Sequence, residues 1–250
     1  MRIAISQPTY LPWLGYFDLI DQVDAFVVLD TVQFEKQSWQ QRNRIKTPTG
    51  LQWLTLPVVF RGLLGQKILE VEIRDAEFWR KHLRGIEVNY GRAQFFAEYF
   101  SQVSAILQKC RPGMRLVDLN MSFLHWFMET MGLRTPVVLA SSLAQEGKRT
   151  ELLARICQKL EATQYVSPLG SAIYLLEEMS CFQDCGIEVV FQNYTHPQYT
   201  QLFPPFLSHA SALDLVFNEG ARSLDIIRSG RGPAFSPEHV APGAGKAMES

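Results

Sequence analysis

The first thirty residues, MRIAISQPTYLPWLGYFDLIDQVDAFVVLD, alternate between apolar runs and a polar, proline-bounded turn. Ile3-Ala4-Ile5 predicts a buried strand. Gln7 to Pro12 predicts a loop. Leu14, Phe17, Leu19 and Ile20 predict a helix with an irregular apolar face. Ala25 to Leu29 predicts a second strand, closed by Asp30. Strand, loop, helix and strand in this order form a βαβ unit, which packs into a parallel sheet. Ligands in such sheets bind at the carboxyl ends of the strands. Gln7, Pro8 and Tyr10 follow the first strand and Asp30 follows the second, so polar residues fall where a site is expected.

The pattern then changes. In TVQFEKQSWQQRNRIKTPT, Arg42, Arg44 and Lys46 recur at a spacing of two, which places them on one face of a strand. Pro48-Thr49-Gly50 predicts a turn, and residues 51–58 a returning strand. The expectation is a β-hairpin inserted after the second parallel strand, within residues 31–73. Residues 61–66, with Gly62 and Gly65, predict a mobile loop, and residues 67–73 a further strand. Helical spacing returns in residues 75–132. One helix carries Phe78, Trp79, His82, Leu83 and Ile86, with Asp75 as its N-cap. A second covers residues 93–108. A third covers 116–131, with a core stripe of Leu116, Leu119, Phe123, Phe127 and Met131.

Beyond this helical insertion, strands are predicted at 135–140, 164–167 and 187–191. Helices follow at Gly147-Lys148-Arg149-Thr150 and at Tyr174, and one closes the domain at 211–220. The fold class is α/β: a Rossmann-like parallel sheet of about five strands flanked by helices, with an inserted hairpin and a helical segment. Residues 1–228 read as one domain and 229–250, rich in Gly, Pro, Ala and Ser, as a disordered tail.

Composition narrows the function class. The 250-residue chain has a net charge of −1, so no bulk electrostatic attraction to nucleic acid or anionic membrane is expected. No apolar run approaches the ~20 residues that span a bilayer, and the start reads directly as a strand, which predicts a cytoplasmic protein. The four cysteines form no CxxC pair and read as reduced thiols. No metal site is indicated, and the sequence leaves the cofactor unknown. The partner expected is a small-molecule substrate.

Several residues carry candidate chemistry. Arg42, Asn43, Arg44 and Lys46 beside Trp39 suit a phosphate or carboxylate with a ring attached; an edge strand protected by its charges is the alternative. Lys148 and Arg149 open a helix, where a basic pair opposes the macrodipole and an anion relieves it. Ser167, Gly170 and Tyr174 follow a strand end, as does the polar-aromatic stretch containing His196, Tyr199 and Gln201. His196, in a loop among amides and tyrosines, is an acid–base candidate together with Asp30; a structural hydrogen-bonding role for it is equally open. His82 and His125, on amphipathic helices, read as packing or surface residues.

Two resemblances add to this reading. Trp13, Gly15 and Tyr16 have the spacing of the nucleotidyltransferase signature, with Trp13 and Tyr16 standing where that superfamily has histidines. The resemblance implies a similar backbone, with Gly15 permitting close approach of a nucleotide at the helix start, and not the catalysis. A plain βαβ turn with aromatic packing is the alternative. More broadly, QPTYLPWLGYF, VVLDTVQF, SWQQRNRIK, WLTLPV, GKRTELL, YVSPLGSAIYL, NYTHPQY and SALDLVFNEG together resemble the WbqC-like protein family, in order across residues 1–228. Thr31 stands where the family commonly has a second acidic residue, and Gln41 where it commonly has Asn. The first departure weakens any case for a metal at Asp30. The resemblance implies a transferase in surface-polysaccharide (O-antigen) synthesis, moving a glycyl or other acyl group, with a nucleotide-activated sugar or an activated amino acid as substrate. A non-catalytic nucleotide- or sugar-binding protein is the alternative.

Overall fold

The computed structural model describes residues 1–59, 65–75 and 77–240. In chain order these form β1 (Arg2–Ser6), α1 (Leu14–Asp21), β2 (Ala25–Val28), β3 (Arg42–Thr47), β4 (Gly50–Thr55), β5 (Val58–Val59) and β6 (Glu72–Ile73). Then come α2 (Phe78–Tyr90), α3 (Phe96–Gln108), α4 (Leu116–Met131), β7 (Val137–Leu139), α5 (Arg149–Lys159) and β8 (Gln164–Ser167). The chain continues through α6 (Ala172–Leu175), α7 (Ser180–Gln183), β9 (Glu188–Phe191), α8 (Ala212–Glu219) and α9 (Ser223–Ser229).

The fold is α/β. Five parallel strands lie in the order β7-β2-β1-β8-β9, flanked by helices, and β3-β4 and β5-β6 form separate antiparallel pairs. The chain runs outward from β1 through β2 to β7, then crosses back to place β8 on the other side of β1. That reversal is a topological switch point, and the carboxyl ends of β1 and β8 flank it.

Strands β1, β2, β8 and β9 are buried on both faces, β7 is half-buried, and the period of two sorts the side chains between two cores. Ile3, Ile5, Ala25, Val27, Tyr165, Val189 and Phe191 face a smaller cluster with Leu152, Leu153, Ile156 and Phe182 of α5 and α7. Ala4, Phe26, Val28, Val166 and Val190 face a larger cluster, which also takes in α1, α4, α8 and the hairpin residues Ile45 and Leu54. The α4 stripe lies in this larger core, with Leu116, Leu119, Phe123 and Phe127 fully buried. Gly132, with φ of 76°, ends the helix in the left-handed region that an L side chain resists.

Four expectations are corrected. The strand expected at 67–73 is a 3₁₀ turn over Ile68–Glu70 followed by β6. The Glu70 carboxylate accepts from the Lys67 amide at 3.0 Å, which closes the turn. The returning strand stops at Thr55, because Pro57 has no N–H for the ladder. Asp75 accepts from the Glu77 amide at 2.8 Å, but α2 starts only at Phe78, so it is a turn residue and not the cap. Residues 229–240, assigned to a disordered tail, are packed: Phe235 and Phe191 exchange backbone hydrogen bonds of 2.8 and 2.9 Å along the outer edge of β9. Arg231 reaches Asp18 at 2.7 Å and Asp21 at 2.5 Å, and Arg228 reaches Asp21 at 2.7 Å. Residues 241–250 and most of the loop expected at 61–66 lie outside the described residues.

The inserted hairpin is fixed to the sheet by one buried side chain. Asn43 Nδ2 donates to the carbonyls of Tyr10 at 3.1 Å and Leu11 at 2.7 Å, and its Oδ1 accepts from the Arg44 amide at 2.8 Å. Leu11 has φ of 47°, a conformation that leaves both carbonyls turned toward the hairpin. Asn43→Ala leaves these buried groups unpaired. The expected loss is about 1–3 kcal/mol in urea denaturation, and Asn43→Asp, which sets a buried carboxylate oxygen against the two carbonyls, is expected to cost at least as much at neutral pH.

Candidate functional site

The loop after β1 does not present the surface expected of it. Tyr10 is fully buried; its hydroxyl lies 2.9 Å from His82 Nδ1, and its ring packs edge-on against Phe123. Tyr16 is buried and donates to the Gln7 carbonyl at 3.1 Å. Pro8 is buried, and Gln7 accepts from the Gln40 amide at 2.8 Å. Gly15 permits a close approach, but the group that approaches is the chain's own indole. A Cβ at Gly15 would stand 2.2 Å from the Trp13 ring. Gln192 Nε2 donates to the Gly15 carbonyl at 2.9 Å from the other side. Of this loop, Trp13 is the ring that faces the rest of the site.

Two histidines stack on Trp13. His209 lies 5.2 Å from it at 29°, and His196 6.3 Å away at 15°; the two imidazoles are 5.1 Å apart. Tyr194, Tyr199 and Phe206 complete the cluster around them. His196 Nδ1 donates to the Pro197 carbonyl at 2.9 Å, an arrangement that fixes the proton on Nδ1. Nε2 is then a lone-pair acceptor, buried and without a hydrogen-bond partner among the described residues. Burial pushes the His196 imidazolium down to about 4, opposed by the Pro197 hydrogen bond and helped by His209, so the ring is neutral near pH 7. Burial also lowers His209, and the charge of Arg44 lowers it further.

Beneath the cluster, Asp214 accepts from Tyr199 Oη at 2.7 Å and Gln201 Nε2 at 2.8 Å. Burial raises its carboxyl above the usual range, opposed by these donors, by Tyr90 and by the charge of Lys46. Tyr199 and Gln201 are therefore held by Asp214.

The hairpin completes the site. Arg42, Arg44 and Lys46 do lie on one face of β3, but they divide. Lys46 is buried, donates to the Thr47 carbonyl at 3.1 Å and balances Asp214. Arg42 sits 4.1 Å over Trp53, and Arg44 lies 5.3 Å from both Trp39 and Trp53. Among the described residues neither arginine has a carboxylate partner, and the Nε of each is buried without an acceptor. The carbonyl of Arg44 accepts from the Ser211 amide at 2.8 Å. This contact covers the outer edge of β3 and brings Arg44 beside His209.

The remaining candidates lie apart from this cluster. Both oxygens of Asp30 are taken by Ser141, at 2.9 Å from its amide and 2.6 Å from its hydroxyl, and Asp30 is buried. It has no contact with the hairpin arginines among the described residues and serves as the anchor for the turn after β7. Lys148 and Arg149 are exposed at the start of α5, with Arg149 at 3.5 Å from Glu178. Ser167 is buried and donates to the Pro168 carbonyl, Gly170 is exposed, and Tyr174 is half-buried. Among the described residues no group of three or more His, Cys, Asp and Glu side chains is placed to hold a metal ion.

Sequence reading missed His209 and Trp53. His209 has φ of 62° and meets Trp13 only through folding of the 192–211 loop, which no local pattern marks. Trp53 was accessible: pairing Thr47 with Gly50 across the turn sets Trp53 opposite Arg44.

A model of the WbqC-like protein family matches residues 7–226. The chain belongs to this family. The uncharacterized protein Rv1507c of Mycobacterium tuberculosis is 38% identical over 229 residues, covering 91% of this chain and 97% of that protein. No solved structure matches the chain. The family match takes in Trp13, the hairpin, His196, His209 and Asp214 together. Among the described residues no helix is long and apolar enough to cross a membrane.

The state of the imidazoles sets a pH dependence. His196 and His82 are both lowered to about 4 in the folded chain, against about 6.5 when unfolded. Their contribution to stability is complete above the unfolded value and is lost as pH falls from there toward about 4, where the unfolded chain binds protons that the folded chain does not. His196→Gln removes its share. Urea denaturation between pH 7 and 4.5 is expected to show wild type losing about 1–2 kcal/mol more than the variant, after discounting for the partial exposure of the ring.

Proposed function

We propose that this WbqC-like protein is a cytoplasmic transferase that takes an anionic, nucleotide-activated or aminoacyl-activated donor in surface-polysaccharide (O-antigen) assembly. Transfer of a glycyl or other acyl group to a sugar is the reaction class that the family resemblance suggests. The observation that carries the reading is the pair of guanidiniums, Arg42 and Arg44, held over Trp39 and Trp53 without carboxylates, beside a neutral histidine pair. Planar, always-charged forks with desolvated donors recognise phosphate or carboxylate bidentately, and the indoles accept a ring.

In the acyl transfer, the acceptor oxygen or nitrogen attacks the donor carbonyl carbon, and the bond to the activating group breaks. The proton lost by the acceptor goes to His196 Nε2. The leaving group departs with the electron pair, its charge held by Arg44 and Arg42. An imidazole lowered to about 4 is a weak base. An anion on Arg44 screens the charge that lowers His209, relieves the site of positive potential and so raises the basicity of the pair when donor is bound.

A second reading, a binding protein without catalysis, is favoured by one observation: Trp13 fills the approach to Gly15 that the nucleotidyltransferase resemblance reserves for a nucleotide. Thermal-shift screening with nucleotide sugars and ATP identifies a donor under either reading. With that donor, His196→Gln is expected to abolish transfer and keep affinity; equal turnover by wild type and variant leaves the binding reading standing.

The hairpin gives a direct test. Arg44→Ala is expected to melt like wild type, because its side chain is not core, and to weaken an anionic ligand by about 1–3 kcal/mol in calorimetric titration. Arg44→Lys restores the charge and not the fork, so partial recovery is expected. Unchanged affinity in Arg44→Ala returns the basic row to a charged, aggregation-resistant hairpin surface.

A further inference from the structure

The basic row does not end at Arg42. Arg42 pairs across the hairpin with Thr55, so the two side chains share a face. Thr55 lines a cavity of about 550 Å³, whose walls also include Lys36, Gln37, Gln41 and Arg74. Lys36 and Arg74 are exposed, come from segments on either side of β3-β4, and have no carboxylate partner among the described residues. Gln41 is spent internally: its Nε2 donates to the Leu56 carbonyl and its Oε1 accepts from the Gln37 amide. The cavity therefore offers two exposed cations beside an apolar wall of Leu56, Pro57, Val58 and Val59, and Thr55 joins it to the Arg42 end of the row.

The spacing suits an extended anion. Positions two apart on a strand are separated by about 7 Å along its axis. Both guanidiniums flank the Trp53 ring, at 5.3 and 4.1 Å from its centroid, so two linked phosphates can be met by one arginine each. We infer that the activating group of the donor is a nucleoside diphosphate, lying along β3 from Arg44 to Arg42, with its nucleoside in the cavity between Lys36 and Arg74. Its reactive end faces His196 and His209, and Trp53 flanks its middle. This rests on the transferase reading above for the site, and adds the ligand class and a second subsite.

Calorimetric titration with AMP, ADP, UMP and UDP tests it, with inorganic phosphate and pyrophosphate as nucleoside-free probes. Wild type is expected to bind each diphosphate roughly tenfold tighter than its monophosphate, the effect of one additional charge-assisted contact. Arg42→Ala is expected to bring that ratio below about threefold, and Lys36→Ala/Arg74→Ala, altered only at exposed positions, to weaken ADP and UDP at least about threefold while leaving pyrophosphate unchanged. Equal affinity for mono- and diphosphates in wild type, with both still dependent on Arg44, overturns this inference alone. A tenfold ratio that survives in Arg42→Ala overturns the diphosphate assignment, and unchanged ADP and UDP affinity in the double variant overturns the cavity assignment. No binding of any probe overturns the inference and the anionic-donor reading together.

Discussion

Asn43 is the contact on which the site depends. A hairpin inserted into an α/β fold has no obligatory position, since its own ladder satisfies most of its backbone. The Asn43 amide removes that freedom by bonding Tyr10, Leu11 and Arg44 at once. The Tyr10 amide answers with a 2.9 Å bond to the Trp39 carbonyl, and the Ser211 amide closes the far edge at Arg44. The hairpin is thereby held between the loop after β1 and the start of α8. Only in that position do the arginines of β3 stand beside the histidines of the 192–211 loop.

The charges divide by solvation. Lys46 is buried and requires a counter-charge nearby, which Asp214 supplies; Asp214 in turn requires donors, which Tyr199 and Gln201 supply. A charge left alone in that interior would be costly. Arg42 and Arg44 avoid the cost differently. Their guanidiniums lie on indole faces at a half-buried surface, where the ring quadrupole and water share the stabilisation. Such cations are held in place without being neutralised, which is the condition for binding an anion from solution. One row of three basic residues thus does two jobs, because its last member points inward to balance a helix carboxylate and its first two remain available.

Most of the scaffold was legible because it rests on local periodicity. The apolar run Ile3-Ala4-Ile5 and the helical-period stripe of α4 leave few choices of element, and the βαβ order fixes a parallel sheet. The site was legible only in part. The row Arg42, Arg44, Lys46 was visible in its spacing, but the inward turn of Lys46 depends on Asp214, 168 positions later in the chain. Asp30 lay at a strand end, as a catalytic carboxylate would, yet its oxygens are spent on Ser141. Position at a strand end says that a residue can reach the ligand face and not that its atoms are free. The packed segment 230–240 was misjudged because composition reports the absence of a core pattern, while Arg231 and Phe235 are held by an ion pair and by strand-edge bonding.

The first loop shows how a helix start can be closed by its own aromatic residues. Tyr16 turns into the core and bonds the Gln7 carbonyl. Trp13 folds over Gly15, so the close approach is filled. Yet imidazoles are present beside that same helix start, because the 192–211 loop delivers His196 and His209 onto the outer face of Trp13. The indole therefore has two roles. It closes the helix start, where a phosphate would have met the dipole, and provides the flat support on which two neutral histidines stack. Arg42 and Arg44, without carboxylate partners among the described residues, reach this cluster through the Arg44–Ser211 contact. The inserted hairpin and the 192–211 loop are therefore coupled requirements: one brings the cations, the other the imidazoles, and the first loop positions both.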